Sequence, residues 1–217
     1  MARDLLILGT GGNSLDILEA VRAGNAAAGE PQYVPRGFLD DAPGLQGRIV
    51  HGLPVVGPLA AAAEWPDAFL VNGIGNPRNY RDKPEIIART GAGDDRFAVV
   101  AHPRAAVSPS ARLARGAVVL ANATVGCDVV VGRHAIVLPG AVLSHHVRIG
   151  DFTCIASGAV LCGEVAVGDG CYVGARAVIR ERLNVATGSL VGMGGVVVAD
   201  VAPGATVAGN PARQVEG

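Results

Sequence analysis

Residues 129–149 read "VVVGRHAIVLPGAVLSHHVRI", and within this stretch an aliphatic residue returns at every sixth position. The same period runs from Val107 to Val197 without an insertion, and all sixteen leading positions hold Val, Leu or Ile. The leading residues are Val107, Leu113, Val119, Val125, Val131, Val137, Leu143, Ile149, Ile155, Leu161, Val167, Val173, Ile179, Val185, Val191 and Val197. A repeat this short and regular predicts a β-solenoid, in which each strand pairs with the coils before and after it.

Two further positions of the hexad refine this prediction. The fifth residue is small or aliphatic almost throughout and lies two residues before the next leading residue. Because residues two apart on a strand share a face, both positions are predicted to point into the core. The second position is often glycine, which predicts a tight corner there. These glycines are Gly126, Gly132, Gly150, Gly168, Gly174 and Gly192.

Residues 1–100 follow a different pattern, which predicts a small Rossmann-like α/β domain ahead of the solenoid of residues 101–217. Short apolar runs such as "DLLILG" alternate with helical stretches such as "SLDILEAVRAG". The first strand-to-helix turn, "GTGGNS", can offer free N–H groups to an anion. However, Ser14 stands where the dinucleotide fingerprint has its third glycine, and the segment holds only half of a dinucleotide fold. NAD is therefore not expected.

The composition excludes several classes of partner. The formal net charge is -1 and no polybasic segment occurs, which argues against nucleic-acid binding. The apolar run at the N-terminus is too short to cross a membrane and lacks the layout of a secretory signal. We therefore expect a cytoplasmic protein without membrane contact. The four cysteines form no CxxC pair and are predicted to be buried thiols.

A metal site is not predicted either. The histidines of the solenoid region do not recur at intervals of six or eighteen residues, so they fall on different columns of a three-sided coil. The cysteines occupy four different hexad positions. Neither arrangement matches the ligand spacing of a zinc site. A metal-dependent hydratase, a class that also uses solenoids of this type, is therefore the less favoured interpretation.

The hexads resemble the left-handed parallel β-helix of the hexapeptide-repeat acyltransferases. The ending "VVVADVAPGATVAGNPAR" is similar to the coenzyme A-proximal ending of those enzymes. Together with "LLILGTGGNSLDIL", "GFLDD" and "NGIGNPRNY", it makes the whole chain similar to the bacterial sugar acetyltransferases that acetylate nucleotide-linked amino sugars or sialic acid. The resemblance implies acetyl-CoA as co-substrate, a sugar as acceptor, and a homotrimer with active sites between subunits.

The reaction implied by the resemblance is N-acetylation of the 4-amino group of a nucleotide-linked amino-deoxysugar, by direct attack on the thioester. O-acetylation of sialic acid or a related sugar is the alternative within the family. A noncatalytic scaffold that binds a nucleotide sugar is an alternative from another class, because one residue beside the implied base departs from the family pattern.

That departure lies in "SHHV", where His145 and His146 occupy hexad positions three and four. Both positions follow the predicted corner and do not share the inward face, so they are predicted to project outward at an edge of the solenoid. In the family, a histidine at the place of His145 acts as general base, and an acidic residue that orients it usually follows. Here His146 follows instead. The alternative is a pair of solvated histidines at a bend.

The neighbours of these histidines follow from the coil length. Residues eighteen apart stack at about 4.8 Å in a three-sided coil. His145 is therefore predicted to lie between Cys127 and Gly163. His146 is predicted to lie between Asp128 and Glu164, which can hold it by charge.

The resemblance also implies two sets of binding residues. The acceptor sugar nucleotide would be held by Gly9, Gly11, Gly12, Asn13, Asp40, Asp41 and Arg78. Coenzyme A would be held by Cys154, Gly163, Gly192, Gly194, Asn210 and Arg213. Each set has an alternative structural interpretation, as polar or glycine turns, an exposed helix charge, or the turn that ends the solenoid.

Overall fold

The computed structural model of the chain describes residues 2–215, in which an α/β layer is followed by a long β-helix. The elements of the layer are β1 (Arg3–Leu8), α1 (Gly12–Ala28), β2 (Tyr33–Leu39), β3 (Ile49–Val50), β4 (Leu53–Gly57), β5 (Phe69–Asn72) and α2 (Lys83–Ala88). The strands of the helix are β6 (Val100–Ala101), β7 (Ala106–Val107), β8 (Arg112–Leu113), β9 (Val118–Val119), β10 (Thr124–Val125), β11 (Val130–Val131), β12 (Ile136–Val137), β13 (Val142–Leu143), β14 (Arg148–Ile149), β15 (Cys154–Ile155), β16 (Val160–Leu161), β17 (Ala166–Val167), β18 (Tyr172–Val173), β19 (Val178–Ile179), β20 (Asn184–Val185), β21 (Leu190–Val191), β22 (Val196–Val197), β23 (Thr206–Gly209) and β24 (Ala212–Gln214).

The α/β layer is a five-stranded sheet in the order β3-β4-β2-β1-β5. Its strands are parallel except for the β3–β4 hairpin. The sequence patterns indicated β1, α1, β2 and β5 but not this hairpin. Its turn is formed by His51 and Gly52, which both have positive φ angles, of 47° and 82°. Two such residues in succession are typical of the tightest hairpin turns.

The β-helix winds in coils of eighteen residues, because each strand pairs in parallel with the strand three places further on. For example, Val125 lies opposite Leu143, and Leu143 lies opposite Leu161. The coils form three faces. We call β6, β9, β12, β15, β18, β21, β23 and β24 the docking face, β7 to β22 in steps of three the second face, and β8 to β20 in steps of three the third face.

The core of the β-helix is filled by the hexad positions that the sequence indicated. Leading residues such as Val119 and Leu143 and fifth-position residues such as Ala123 and Ala141 belong to one buried cluster. The aliphatic prediction for positions one and five is therefore confirmed. The small fifth residue leaves room for the larger leading residues that arrive from the other two faces.

The corners differ from the prediction. The left-handed residue of each turn stands at hexad position four, as in Asp128 (φ 56°), His146 (φ 59°) and Glu164 (φ 64°). The glycines of position two are instead places of close approach between coils. A Cβ on Gly150 would lie 2.5 Å from the backbone nitrogen of Asp169 in the next coil. Assigning the tight corner to position two was therefore wrong, because these glycines do not have positive φ and stand where the neighbouring coil approaches closely.

The α/β layer covers one face of the β-helix. The outward side chains of Ile136 and Cys154 on the docking face pack against Ile17 and Leu18 of α1 and against Ile7 of β1. The layer therefore lies opposite the edge between the second and third faces. That edge stays exposed in a single chain.

Replacing Gly150 by Ala is expected to destabilise the β-helix, because the added methyl group would overlap the backbone of the next coil. Forced overpacking of this kind costs about 1–3 kcal/mol. Gly24→Ala is the matched control, since Gly24 lies inside α1 with nothing within 4 Å of an added Cβ. The control is expected to raise the unfolding free energy by roughly 0.5–1 kcal/mol. Thermal and urea unfolding measure both changes, and equal stability of the two variants would contradict the close-approach account.

Candidate active site

The first candidate residues lie on the edge between the second and third faces, which we call the histidine edge. It is formed at hexad positions three and four by Cys127–Asp128, His145–His146 and Gly163–Glu164. The backbone of each turn is bonded to the next coil. The amide of His146 donates to the carbonyl of Cys127 (2.9 Å), and the amide of Glu164 donates to that of His145 (3.0 Å). These ladder bonds fix the height and direction of both imidazole side chains.

The two imidazoles contact each other. Nδ1 of His145 lies 3.1 Å from Nδ1 of His146, and the rings are nearly perpendicular. Nε2 of His146 lies 3.6 Å from Oδ2 of Asp128 in the preceding coil. On the other side, a Cβ on Gly163 would stand 2.5 Å from Nε2 of His145. Glycine at that place therefore makes room for the imidazole ring of His145, which lies directly against Gly163.

The predicted neighbours of His146 need one correction. Asp128 does face His146, but the carboxylate of Glu164 contacts the guanidinium of Arg182 at 3.3 Å. Glu164 therefore takes part in an ion pair further along the edge. The two histidines are exposed beside a cleft of about 510 Å³.

The second set of candidates forms a cleft of about 380 Å³ in the α/β layer. The structure brings five predicted acceptor residues together in its lining. They are Gly9, Gly11, Gly12, Asn13 and Asp40, joined by the loop of residues 73–76 and by Tyr172 of the docking face. The sequence analysis did not single out Tyr172. Its outward position on β18, directly under the layer, becomes meaningful only once the docking face is known.

Two of these side chains hold the walls of the cleft. Nδ2 of Asn13 donates to the carbonyl of Gly75 (2.9 Å), which joins the glycine turn to the opposite loop. Oδ2 of Asp40 accepts from the amide (3.0 Å) and the hydroxyl (2.8 Å) of Thr10. The glycine turn is therefore fixed in shape before any ligand binds.

The structure removes Asp41 and Arg78 from the lining of this cleft. Oδ1 of Asp41 accepts from the amide of Leu59 (2.8 Å), and its Oδ2 pairs with Arg89 (3.1 Å). Both carboxylate oxygens of Asp41 thus contact other residues of the chain outside the cleft. Arg78 is exposed beyond Asn76 and does not line the cleft.

The residues predicted to bind coenzyme A are dispersed in a single chain. Gly163 adjoins His145 on the histidine edge, whereas Gly192 and Gly194 flank Met193 on the edge between the docking and second faces. Arg213 lines a cleft of about 470 Å³ at the end of the β-helix, and Asn210 precedes it in the β23–β24 turn.

Cys154 requires a correction. It lies on the docking face, is 0% exposed, and packs beneath the α/β layer. Burial raises the pKa of its thiol to about 11, so it stays protonated at neutral pH. Because a coenzyme A molecule cannot reach a side chain inside this interface, Cys154 is not a binding residue. Its hexad position is outward, but the layer covers that face.

The sequence analysis also missed Lys83, the first residue of α2, which is 0% exposed. Its Nζ donates to the carbonyl of His134 (3.1 Å). Its side chain lies under Gly75 in the floor of the glycine-turn cleft, because a Cβ on Gly75 would be 3.2 Å from Cδ of Lys83. Burial lowers the pKa of Lys83 to about 8. A lysine among polar residues of a helical stretch carries no signal of such burial.

Within residues 2–215, no group of three His, Cys, Asp or Glu side chains is arranged to hold a metal ion. No helix in the same range has the length and apolar character needed to span a membrane.

Comparison with known proteins agrees with this architecture. Residues 146–181 match the family model described as bacterial transferase hexapeptide (six repeats). The acetyltransferase domain of PglB from Neisseria gonorrhoeae, solved with acetyl coenzyme A, is 32% identical, with a TM-score of 0.82 over 99% of this chain and 100% of that one. PerB from Caulobacter crescentus, solved with CoA and GDP-perosamine, is 30% identical, with a TM-score of 0.83 over 98% and 97%.

WeeI from Acinetobacter baumannii has the same fold, with a TM-score of 0.82 at 24% identity over 99% of this chain and 100% of that one. A comparison with curated protein sequences gives no match. These findings confirm the predicted fold class, a Rossmann-like α/β layer followed by a left-handed β-helix.

The fold and these matches together define an acyltransferase of the hexapeptide-repeat class. Within that class, the chain belongs to the bacterial sugar acetyltransferase family that includes PglB and PerB.

The buried charge of Lys83 predicts a specific dependence of stability on pH. Its folded pKa of about 8 lies below the value of 10.5 for a lysine exposed to water. Between these values the unfolded chain binds more protons than the folded chain, so the unfolding free energy rises with pH by roughly 3 kcal/mol. Lys83→Met is expected to remove that rise, which urea unfolding at pH 7.5 and 10.5 measures for the parent and the variant. The prediction would be contradicted if the unfolding free energies of the parent and of Lys83→Met differed by the same amount at both pH values.

Proposed function

We propose that the protein transfers the acetyl group of acetyl-CoA to the 4-amino group of a nucleotide-linked amino-deoxysugar. The observation that carries the proposal is the placement of His145 on an exposed edge, where its ring lies against Gly163 and its Nδ1, not its Nε2, contacts His146. A relative that covers nearly the whole chain was solved with CoA and GDP-perosamine, and another was solved with acetyl coenzyme A. Both ligand sets agree with an amino-sugar acceptor and an acetyl-CoA donor.

In the proposed reaction, the neutral amine of the sugar attacks the thioester carbonyl while Nε2 of His145 accepts a proton from the nitrogen. The new C–N bond forms, the C–S bond breaks, and the proton passes from His145 to the departing thiolate of CoA. No acyl-enzyme is needed, because the amine is itself a sufficient nucleophile once its proton has an acceptor.

The histidine edge supports the proposed path of coenzyme A. From His145, the same edge continues through Gly163 and Glu181 to Ala199. Three coil steps amount to about 14 Å. Ala199 already lines the cleft at the end of the β-helix, together with Arg213. The exposed guanidinium of Arg213 is suited to the phosphates of CoA, with Asn210 in the adjacent turn.

The glycine-turn cleft supports the proposed acceptor site. Gly11 and Gly12 carry no side chain that would fill it, and the N-terminus of α1 opens into it. Free N–H groups at a helix N-terminus favour a phosphate group. The positive charge of Lys83, which is buried below the floor of the cleft, also favours binding of an anion such as phosphate.

The two sites lie on opposite sides of one chain, and this supports a homotrimer with active sites between subunits. The cleft belongs to the layer on the docking face, whereas His145 stands on the opposite edge. The second face carries an unbroken run of half-buried outward valines, Val142, Val160, Val178 and Val196. On the third face, the same hexad position alternates the exposed Arg112, Arg148 and Asn184 with the half-buried Val130 and Ala166.

This apolar stripe is suited to a second copy of the chain, since unpaired apolar surface of that extent favours association. Packing of neighbouring β-helices would also bring Gly192 and Gly194 of one chain toward the histidine edge of another. Among residues 2–215 all four cysteines are free, which fits the reducing cytoplasm, the compartment that we propose.

His145→Ala is expected to lower kcat for acetyl transfer to nucleotide-linked amino sugars by at least about 100-fold, because the general base is lost. The melting temperature is expected to stay unchanged, since the His145 side chain is exposed. Cys127→Ser is the matched control, because Cys127 lies one coil away on the same edge and is expected to be dispensable. A panel of amino and hydroxyl acceptors, including sialic acid, measures the choice between N- and O-acetylation. Retention of most of kcat by His145→Ala would exclude its role as base.

Mixing two inactive variants tests the shared site. Gly12→Leu is expected to fill the cleft without disturbing the fold, because nothing lies within 4 Å of an added Cβ. When this variant is co-expressed with His145→Ala, mixed oligomers are expected to regain about a quarter of the parent activity, as random assembly of a cyclic trimer gives. Light scattering measures the assembly state. Inactive mixed trimers would mean that the cleft and the base act within one chain.

A further inference from the structure

Three side chains of the histidine edge form a continuous polar chain across two coils. Asp128 faces Nε2 of His146 at 3.6 Å, and Nδ1 of His146 faces Nδ1 of His145 at 3.1 Å. Beyond His145, Gly163 makes room for the imidazole ring, whose Nε2 is the nitrogen that His146 does not contact. The chain therefore begins at a carboxylate and ends at the nitrogen from which a substrate proton can be taken.

The short distance between the two Nδ1 atoms restricts which ring nitrogens of His145 and His146 can carry hydrogen. A hydrogen bond between them needs one donor and one acceptor, so in the neutral pair only one Nδ1 carries hydrogen. If Nδ1 of His145 carries it, Nε2 of His145 is an acceptor and can serve as a base. His146 must then accept at Nδ1 and carry its own hydrogen on Nε2.

Asp128 selects between the two arrangements. A carboxylate accepts hydrogen bonds and cannot donate them when ionised. The 3.6 Å contact is longer than a hydrogen bond, but the negative charge of Oδ2 of Asp128 still favours the tautomer of His146 that has hydrogen on Nε2. That tautomer leaves Nδ1 of His146 free to accept, which in turn holds the hydrogen of His145 on Nδ1.

We propose that Asp128 is a positioning residue for His145, which acts through the imidazole of His146 to keep Nε2 of His145 free as the base. This inference rests on the proposed function for its catalytic consequence. In this arrangement, the imidazole of His146 lies between the carboxylate of Asp128 and the imidazole of His145 and transmits the effect of the carboxylate on the tautomer. Asp128 then supplies, from the preceding coil, the acidic group that the residue after His145 does not supply.

The backbone makes this arrangement rigid. Asp128 and His146 occupy the same left-handed turn position in consecutive coils, and the ladder bond from His146 to Cys127 ties the two turns together. The amide of Asp128 is itself bonded to the hydroxyl of Ser110 at 2.9 Å. Glu164, on the far side of His146, contacts Arg182 and does not compete for its Nε2.

The first test measures tautomers and kinetics in Asp128→Asn. Asn is suited to the left-handed turn, since Asn122 holds the same hexad position with φ 58°. Its amide can both donate and accept, so it removes the preference of His146 for hydrogen on Nε2. With histidine labelled by ¹⁵N, NMR is expected to show hydrogen on Nδ1 of His145 in the parent and a mixture in the variant. We expect kcat to fall about tenfold, with the KM of both substrates within about twofold.

The second test is a rescue by His146→Glu. A glutamate there can accept directly from Nδ1 of His145, and Glu164 has the same turn conformation one coil away, so the backbone tolerates it. In this background, Asp128→Asn is expected to cause no further loss of kcat. Glu164→Gln is the matched control, and it is expected to leave the tautomers of both histidines unchanged.

Two results would overturn the inference. One is an Asp128→Asn protein that keeps the parent tautomers and the parent kcat. The other is a tenfold loss that persists in the His146→Glu background. If the parent transfers acetyl to no amine, the proposed function fails, and the tautomer spectra still decide whether Asp128 sets the proton of His145.

Discussion

The parallel stacking of coils at an eighteen-residue interval is the constraint on which the rest of this structure depends. Each ladder bond fixes a residue above its counterpart, so every hexad position becomes a straight column. Columns one and five form the core, and column four supplies the left-handed turns. The same constraint places Asp128, His146 and Glu164 in one line, although no sequence neighbour of His145 is acidic.

The core could be predicted from the sequence because its signal is local and is repeated sixteen times. The position-two glycines carried an equally clear signal, but the sequence cannot distinguish a glycine needed for positive φ from one needed for close approach. The hairpin of residues 49–57 was missed because its turn uses His51 with Gly52, where Asn or Asp with Gly is the familiar signal. Asp40 and Asp41 could not be separated, because their different partners come from distant segments.

The docking face of the β-helix has a recognisable sequence pattern, although the sequence analysis did not use it. Outward positions of every third hexad are apolar on the docking face, as in Val118, Leu120, Ile136 and Leu138. On the third face, the corresponding outward residues include Arg112 and Arg148. A search for apolar outward residues at the period of eighteen would have indicated the docking face. It would also have indicated that Cys154 is buried. No sequence pattern indicates the burial of Lys83, because that burial results from packing of the α/β layer against the β-helix.

Catalytic chemistry can be placed on such a repetitive scaffold because His145 and Gly163 contribute their backbone carbonyls, and not their side chains, to the bonds between coils. Along the histidine edge, column three holds Cys127, His145, Gly163, Glu181 and Ala199 in turn. A change there alters neither the core nor the pairing of coils, so the base can stand in one coil and the opening beside it in the next. The hexad pattern therefore predicts the fold but not the candidate site. The candidate site residues occupy hexad positions whose residue type the repeat does not restrict. For the same reason, the acidic partner of His145 can come from the coil below.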